Sequence, residues 1–178
     1  MAAPAASQPE PARHDSGLVV LDREPGRFLF AAWQNVSILI WLAQADAHGA
    51  ARLKDTVAKL TAEYPNARSC VTIVGAGVPI PTDDEARARF VALLQRSAGQ
   101  LACLAVVAEG KGFERSALLS FYTSMRLATT TSSEMAFLHD VDELEKWLPA
   151  HHRKTGVVLD PAQLGAAVRQ AIAESKRP

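Results

Sequence analysis

Cysteine is scarce in this chain, with two residues, Cys70 and Cys103, in a length of 178. Both fall inside apolar runs that read as strands. That excludes a disulfide framework and predicts two buried thiols in a reducing compartment. Neither sign of charge is in excess, with 19 basic and 19 acidic residues. No basic run or stripe breaks the balance, which argues against DNA or RNA as a partner. Long hydrophobic runs are missing too. The longest, such as Leu101 to Ala108, fall far short of the roughly 20 residues that a membrane-spanning helix needs, so no membrane span is expected. The amino terminus has no basic segment and no apolar core, and no signal peptide is read there. The expected location is the cytoplasm.

Catalytic signatures are also wanting. Neither G-x-S-x-G nor H-E-x-x-H occurs, and no metal or cofactor is expected. The five histidines lie at 14, 48, 139, 151 and 152, and His151 with His152 reads as a solvated helix end. Gly75 and Gly77 follow a strand, but the third glycine of a dinucleotide fingerprint would fall on Ile80. Asp83, Asp84 and Glu85 would then repel a pyrophosphate at the helix start. Gly110, Lys111 and Gly112 have Ala105 where a phosphate loop needs its first glycine, and Gly112 where it needs a hydroxyl. A structural turn is the simpler reading, with an anion held at the helix start as the alternative. His139 and Glu109 share the carboxyl edge of the sheet, where an acid–base pair could act, but no nucleophile accompanies them. The hydroxyl run Thr129 to Ser133 reads as a solvated loop, with a phosphorylation cluster as the alternative.

What the chain does have is ordered periodicity. The hydrophobic fraction of 48% suffices for a core. Residues 1–16, rich in proline and alanine, read as a disordered tail. Leu18–Leu21, Arg27–Trp33 and Val36–Leu42 read as three strands of an antiparallel meander, with Gln34 and Asn35 as a hairpin turn in which Asn tolerates positive φ. From about Asp46 to Tyr64 the period turns helical, with Leu53, Val57, Leu60 and Tyr64 in one stripe. A strand at Ser69–Val74 leads through Gly75–Pro81 to a helix, with Thr82 and Glu85 as its capping box and Ala86, Phe90, Leu93 and Leu94 inward. The fully apolar Leu101–Ala108 reads as a central strand buried on both faces. The helix after it, Phe113 to about Thr131, carries one charge beyond Arg115, namely Arg126. It is expected to hide most of its surface, either in the core, with the last helix as a candidate cover, or against a partner. A strand at Met135–Leu138 precedes a helix capped by Asp140, with Glu143 as its box partner and Val141, Leu144, Trp147 and Leu148 inward. Pro149 to Gly156 reads as a linker. Asp160 and Pro161 open a last helix with the stripe Leu164, Val168 and Ile172. Alternation after residue 46 predicts right-handed crossovers and a parallel half-sheet.

Two segments, Val106–Ala117 and Phe137–Leu148, resemble bacterial STAS-like proteins, the fold of sulfate transporter cytoplasmic domains and anti-sigma factor antagonists. The resemblance spans roughly residues 18–150. It implies an α/β fold with antiparallel first strands and then β-α units packed on a mixed sheet. Residues 17–150 would form that domain, with 151–178 as linker and extra helix. In the antagonists a phosphorylatable Ser follows Asp where the helix opens after a strand. The matching place here is Pro81-Thr82-Asp83-Asp84, and its only hydroxyl is Thr82. The function implied is a non-enzymatic regulatory or protein-interaction module. Its contact surface would comprise Gly75, Gly77 and Thr82 with Glu109, Gly110, Lys111 and Gly112. Leu119, Tyr122, Thr123 and Arg126 are a candidate interface to a protein partner or a second copy. A binder of a small apolar or lipid-like ligand is the next reading, and an enzyme using the sheet edge comes last.

Overall fold

The computed structural model describes residues 17–63, 68–81, 83–97, 99–110, 112–129 and 133–178. Six strands form one sheet in sequential order: β1 (Leu18–Glu24), β2 (Phe28–Trp33), β3 (Val36–Trp41), β4 (Arg68–Val74), β5 (Leu101–Ala108) and β6 (Glu134–Leu138). The first three pair antiparallel and β3 to β6 pair parallel. The expected meander and parallel half are both present. The β2–β3 hairpin closes on Trp33 and Val36. It is Gln34, however, that takes the positive φ, at 51°.

Helices α1 (Ala47–Glu63), α2 (Asp84–Ser97) and α3 (Phe113–Leu127) supply the three crossovers. The sheet advances one strand at a time, and crossovers share one hand. These three helices therefore cover the same face. Helices α4 (Val141–His152) and α5 (Pro161–Ser175) cover the other. Alternation along each strand divides the core accordingly. Ala31, Ile38, Val71, Ala105 and Val107 meet Leu144, Leu148, Leu164 and Val168 on the α4–α5 side. Phe28, Phe30, Leu39, Trp41 and Val74 meet Leu53, Leu93 and Leu118 on the other.

The carboxyl-terminal helix is part of this core. Asp160 accepts a hydrogen bond from the Gln163 amide at 2.8 Å, and Pro161 sits in the first turn. Leu164, Ala167, Val168 and Ala171 have no exposed surface. Each large side chain so buried contributes roughly 1.5–3 kcal/mol. The expected linker from Pro149 is instead helical. α4 runs through Pro149 to His152, a short 3₁₀ turn follows at Arg153–Thr155, and Gly156 ends it at φ 81°. Proline forfeits one backbone bond there, while Leu148, Pro149 and His152 are all buried and hold the last turn down.

Of the two expectations for α3, enclosure in the core beneath the last helix is corrected. It buries Leu118 and Met125 but exposes Phe113, Leu119 and Leu127, and α5 lies across the opposite face of the sheet. Low charge on this helix therefore does not signal enclosure within the chain.

Caps set the helix starts. Asp46 accepts from the Gly49 amide at 2.8 Å. Asp140 accepts from the Glu143 amide, and the Glu143 carboxylate reaches back to the amide of His139 rather than of Asp140. At α2 the expected cap, Thr82, lies outside the described residues. The observed capping group is the Asp83 carboxylate, which accepts from the amides of Glu85 at 3.0 Å and Ala86 at 3.4 Å. Asp83→Ala is expected to cost about 1 kcal/mol of stability, read as a lower urea midpoint with an unchanged slope.

Candidate ligand chamber and buried polar relay

Strand β4 positions the two sites that carry chemistry. Arg68, Cys70, Thr72 and Val74 point toward α1–α3. Ser69, Val71 and Ile73 point toward α4 and α5. Both sets sit mid-sheet.

On the α1–α3 side the helices do not fill the space above the sheet. α4 and α5 make many close backbone approaches to the strands, whereas α2 and α3 make few. Aromatic rings prop the layer open. Trp41 stands edge-on to Phe30 at 5.2 Å and to Phe90 of α2 at 5.7 Å. Close passage of α1 holds Trp41 in place, since a Cβ added at Gly49 would lie 2.8 Å from its ring. Beneath the helices is a cavity of about 80 Å³. Its floor is Leu39, Trp41, Arg68, Cys70, Thr72 and Leu104, and its roof includes Leu53, Val57, Leu93, Leu94, Tyr122 and Met125. About 10–15 Å³ admits one water, so this space holds more than a solvent molecule. A smaller void of about 20 Å³ beneath Val78, Pro79 and Pro81 shares Trp41, Phe90, Tyr122 and Met125 with it.

The polar groups of the floor are occupied with one another. Ser37 donates to the Ser69 carbonyl at 3.2 Å, and Cys70 Sγ lies 3.9 Å from the Thr72 hydroxyl. Burial raises the Tyr122 phenol well above its usual range, Cys70 adds to that, and a hydrogen bond with Thr72 opposes it. Tyr122 was expected at an interface, but it belongs to the inner face of α3. Arg68 is 3% exposed and donates to the Thr61 hydroxyl at 2.8 Å. Burial depresses its guanidinium below the ordinary range, with Cys70 opposing.

On the opposite face, Ser69 Oγ lies 2.7 Å from His152 Nδ1 and 3.0 Å from Cys103 Sγ. The solvated helix end expected for His151 and His152 is half right. His151 stacks on Trp147 at 4.1 Å and meets Glu134 at 3.1 Å, but His152 is fully buried. Burial lowers the His152 pKa to about 4 and raises the Cys103 thiol to about 11. A hydroxyl, an imidazole and a thiol in contact would suit nucleophilic chemistry if a substrate could arrive. All three residues have no exposed surface, and the relay instead ties the end of α4 to the sheet.

The carboxyl-edge residues are brought together as expected. The Gly75 amide bonds to the Trp41 carbonyl and the Glu109 amide to the Val74 carbonyl, so the two loops leave neighbouring strands side by side. Gly77, Gly110 and Gly112 take positive φ. Lys111, like Thr82, lies outside the described residues. His139 and Glu109 stand exposed at adjacent strand ends, and no ion pair joins them among the described residues. Leu119, Thr123 and Arg126 face outward on α3. Arg68, Ser69 and His152 escaped the sequence reading. A charge just before an apolar strand normally reads as a solvated flank, and His152 follows what looked like a helix-ending proline. The one available signal was the period-two row Arg68, Cys70, Thr72 within an otherwise aliphatic strand.

His152 is neutral when folded and titrates near 6.5 when unfolded, so the unfolded chain binds the extra proton as pH falls. Its contribution is intact above about pH 6.5 and is lost toward pH 4. Urea unfolding is expected to show about 2 kcal/mol less stability near pH 5 than near pH 7 from this group. A His152→Gln variant should lack that increment, and an identical pH slope in the variant would contradict the assignment.

No family model, curated protein or solved structure matches this chain.

Proposed function

We propose that this chain is a ligand-binding module of STAS-like architecture that holds a small, mainly apolar molecule between its sheet and helices α1–α3. The carrying observation is the chamber itself: a cavity of about 80 Å³ under a helical layer held off by aromatic rings, in a molecule whose other helical layer lies closer to the sheet. The STAS-like part of the proposal is supported by the order of elements, an antiparallel entry followed by sequential β-α units. The upper void lies under the Gly75–Pro81 loop. A ligand reaching it would press on a carboxyl-edge surface suited to a protein partner, which joins ligand binding to a regulatory role in a cytoplasmic, bacterial setting. Calorimetry with octanol should show one saturable site with a negative heat-capacity change. Leu94→Trp, which puts an indole into the roof, should weaken it by about tenfold or more through lost apolar contact. Equal binding by the two proteins would place the ligand elsewhere.

A second reading, interaction through α3, is favoured by one observation. Phe113 is 87% exposed, Leu127 82% and Leu119 41%, all on the same helix. Apolar surface of this kind suits a partner or a second copy. Sedimentation should then show a wild-type dimer that Leu119→Asp converts to a folded monomer. A wild type that stays monomeric at high concentration would exclude self-association.

A further inference from the structure

We propose that the chamber binds an acyl carboxylate, a medium-chain fatty acid whose head group pairs with Arg68 and whose tail runs along β4 toward Trp41 and Phe90. This rests on the ligand-binding reading above and names the ligand class.

Arg68 is the observation that carries it. The guanidinium has five donors, and among the described residues its side chain makes one hydrogen bond, to the neutral Thr61 hydroxyl. No carboxylate lies within ion-pair distance of it among the described residues. A cation that is 3% exposed without a counter-charge is costly, because water is removed and nothing replaces it. Void and unpaired charge coincide, since Arg68 lines the same chamber. One occupant resolves both anomalies: an anion with an apolar body. Burial also depresses the Arg68 pKa, as expected for a charge awaiting its partner.

Charge count and geometry narrow the class. Arg68 is the only charged side chain among the described lining residues. A single cation neutralises a monoanion, and its planar fork matches a carboxylate. A phosphate dianion would leave net negative charge buried. The floor's other polar groups are engaged with each other and with the Ser69 carbonyl, so they do not call for a second polar group on the ligand. Arg68 opens β4, whereas Trp41 pairs with Val74 at its far end. Six strand rises separate them, about 20 Å. The chamber is thus polarised along its length, charged at the amino end of the strands and aromatic at the carboxyl end.

Calorimetry with octanoate, octanol, octyl phosphate and acetate tests this near pH 7. Wild type should bind octanoate about 10- to 100-fold more tightly than octanol, the usual worth of a charged hydrogen-bonded pair, and should not bind acetate measurably. Arg68→Met should erase that preference while retaining octanol. Equal affinity for octanoate and octanol in wild type would overturn the carboxylate assignment yet leave the chamber as a ligand site. Tighter octyl phosphate would overturn the monoanion in favour of a phosphate head. Binding of none would overturn the chamber reading and the assignment together. Should Arg68→Met fail to fold, the wild-type comparison decides alone.

Discussion

Successive side chains of a strand point to opposite faces, and in β4 that alternation separates two chemistries one residue apart. Arg68 enters the layer under α1–α3, and Ser69 enters the layer under α4 and α5. Because β4 pairs with β3 on one side and β5 on the other, neither side chain can turn away to solvent. Slipping the register by one residue would turn the guanidinium toward the α4–α5 face and remove from the chamber the only charge among its described lining residues. The parity of this strand therefore has to be held, and the aliphatic row Val71 and Ile73 on the α4–α5 side holds it.

The two layers solve burial differently. α4 and α5 lie close to the sheet and bring Leu144, Leu148, Leu164 and Val168 against aliphatic strand residues. Arg169 pins α5 to Glu145 and Asp142 of α4 at 2.7 and 2.6 Å. That layer is mainly aliphatic, and the Ser69–His152–Cys103 relay is set into it. The α1–α3 layer rests on large rings instead. Rings span distance but do not fill it, so the space between Trp41, Phe90 and Tyr122 stays open. The two faces thus differ in how closely helices approach the sheet, and the proposed ligand site lies on the looser one.

The chamber also lies close to the loops that close the sheet's carboxyl edge. Val78, Pro79 and Pro81 cover the smaller neighbouring void, which shares Trp41 with the chamber, and the Gly75 amide bonds to the Trp41 carbonyl. The α3 helix forms another wall, with Met125 and Tyr122 inward and Leu119 outward. Inner and outer faces of one helix thereby connect the proposed ligand site to the exposed apolar surface.

Local chemistry determined much of this fold from the sequence. Short apolar runs bounded by turn residues marked the six strands, helical stripes marked the five helices, and Asp140, Asp160 and the glycines after β4 and β5 marked their ends. These are short-range effects, carried by residues within one or two turns of each other. The same reasoning also placed the Gly75 and Glu109 loops side by side, because parallel strands leave their loops at one edge. What only the tertiary structure decided depends on contacts distant in sequence. The exposure of α3 follows from α5 choosing the other face of the sheet. The burial of His152 follows from α4 persisting beyond Pro149 until its last turn reaches Ser69, 83 positions away. The chamber is bounded by rings from three elements, Trp41 of β3 against Phe90 of α2, with Tyr122 of α3 beside them. A cavity is a property of what several elements fail to fill together, and no single stretch of sequence encodes it.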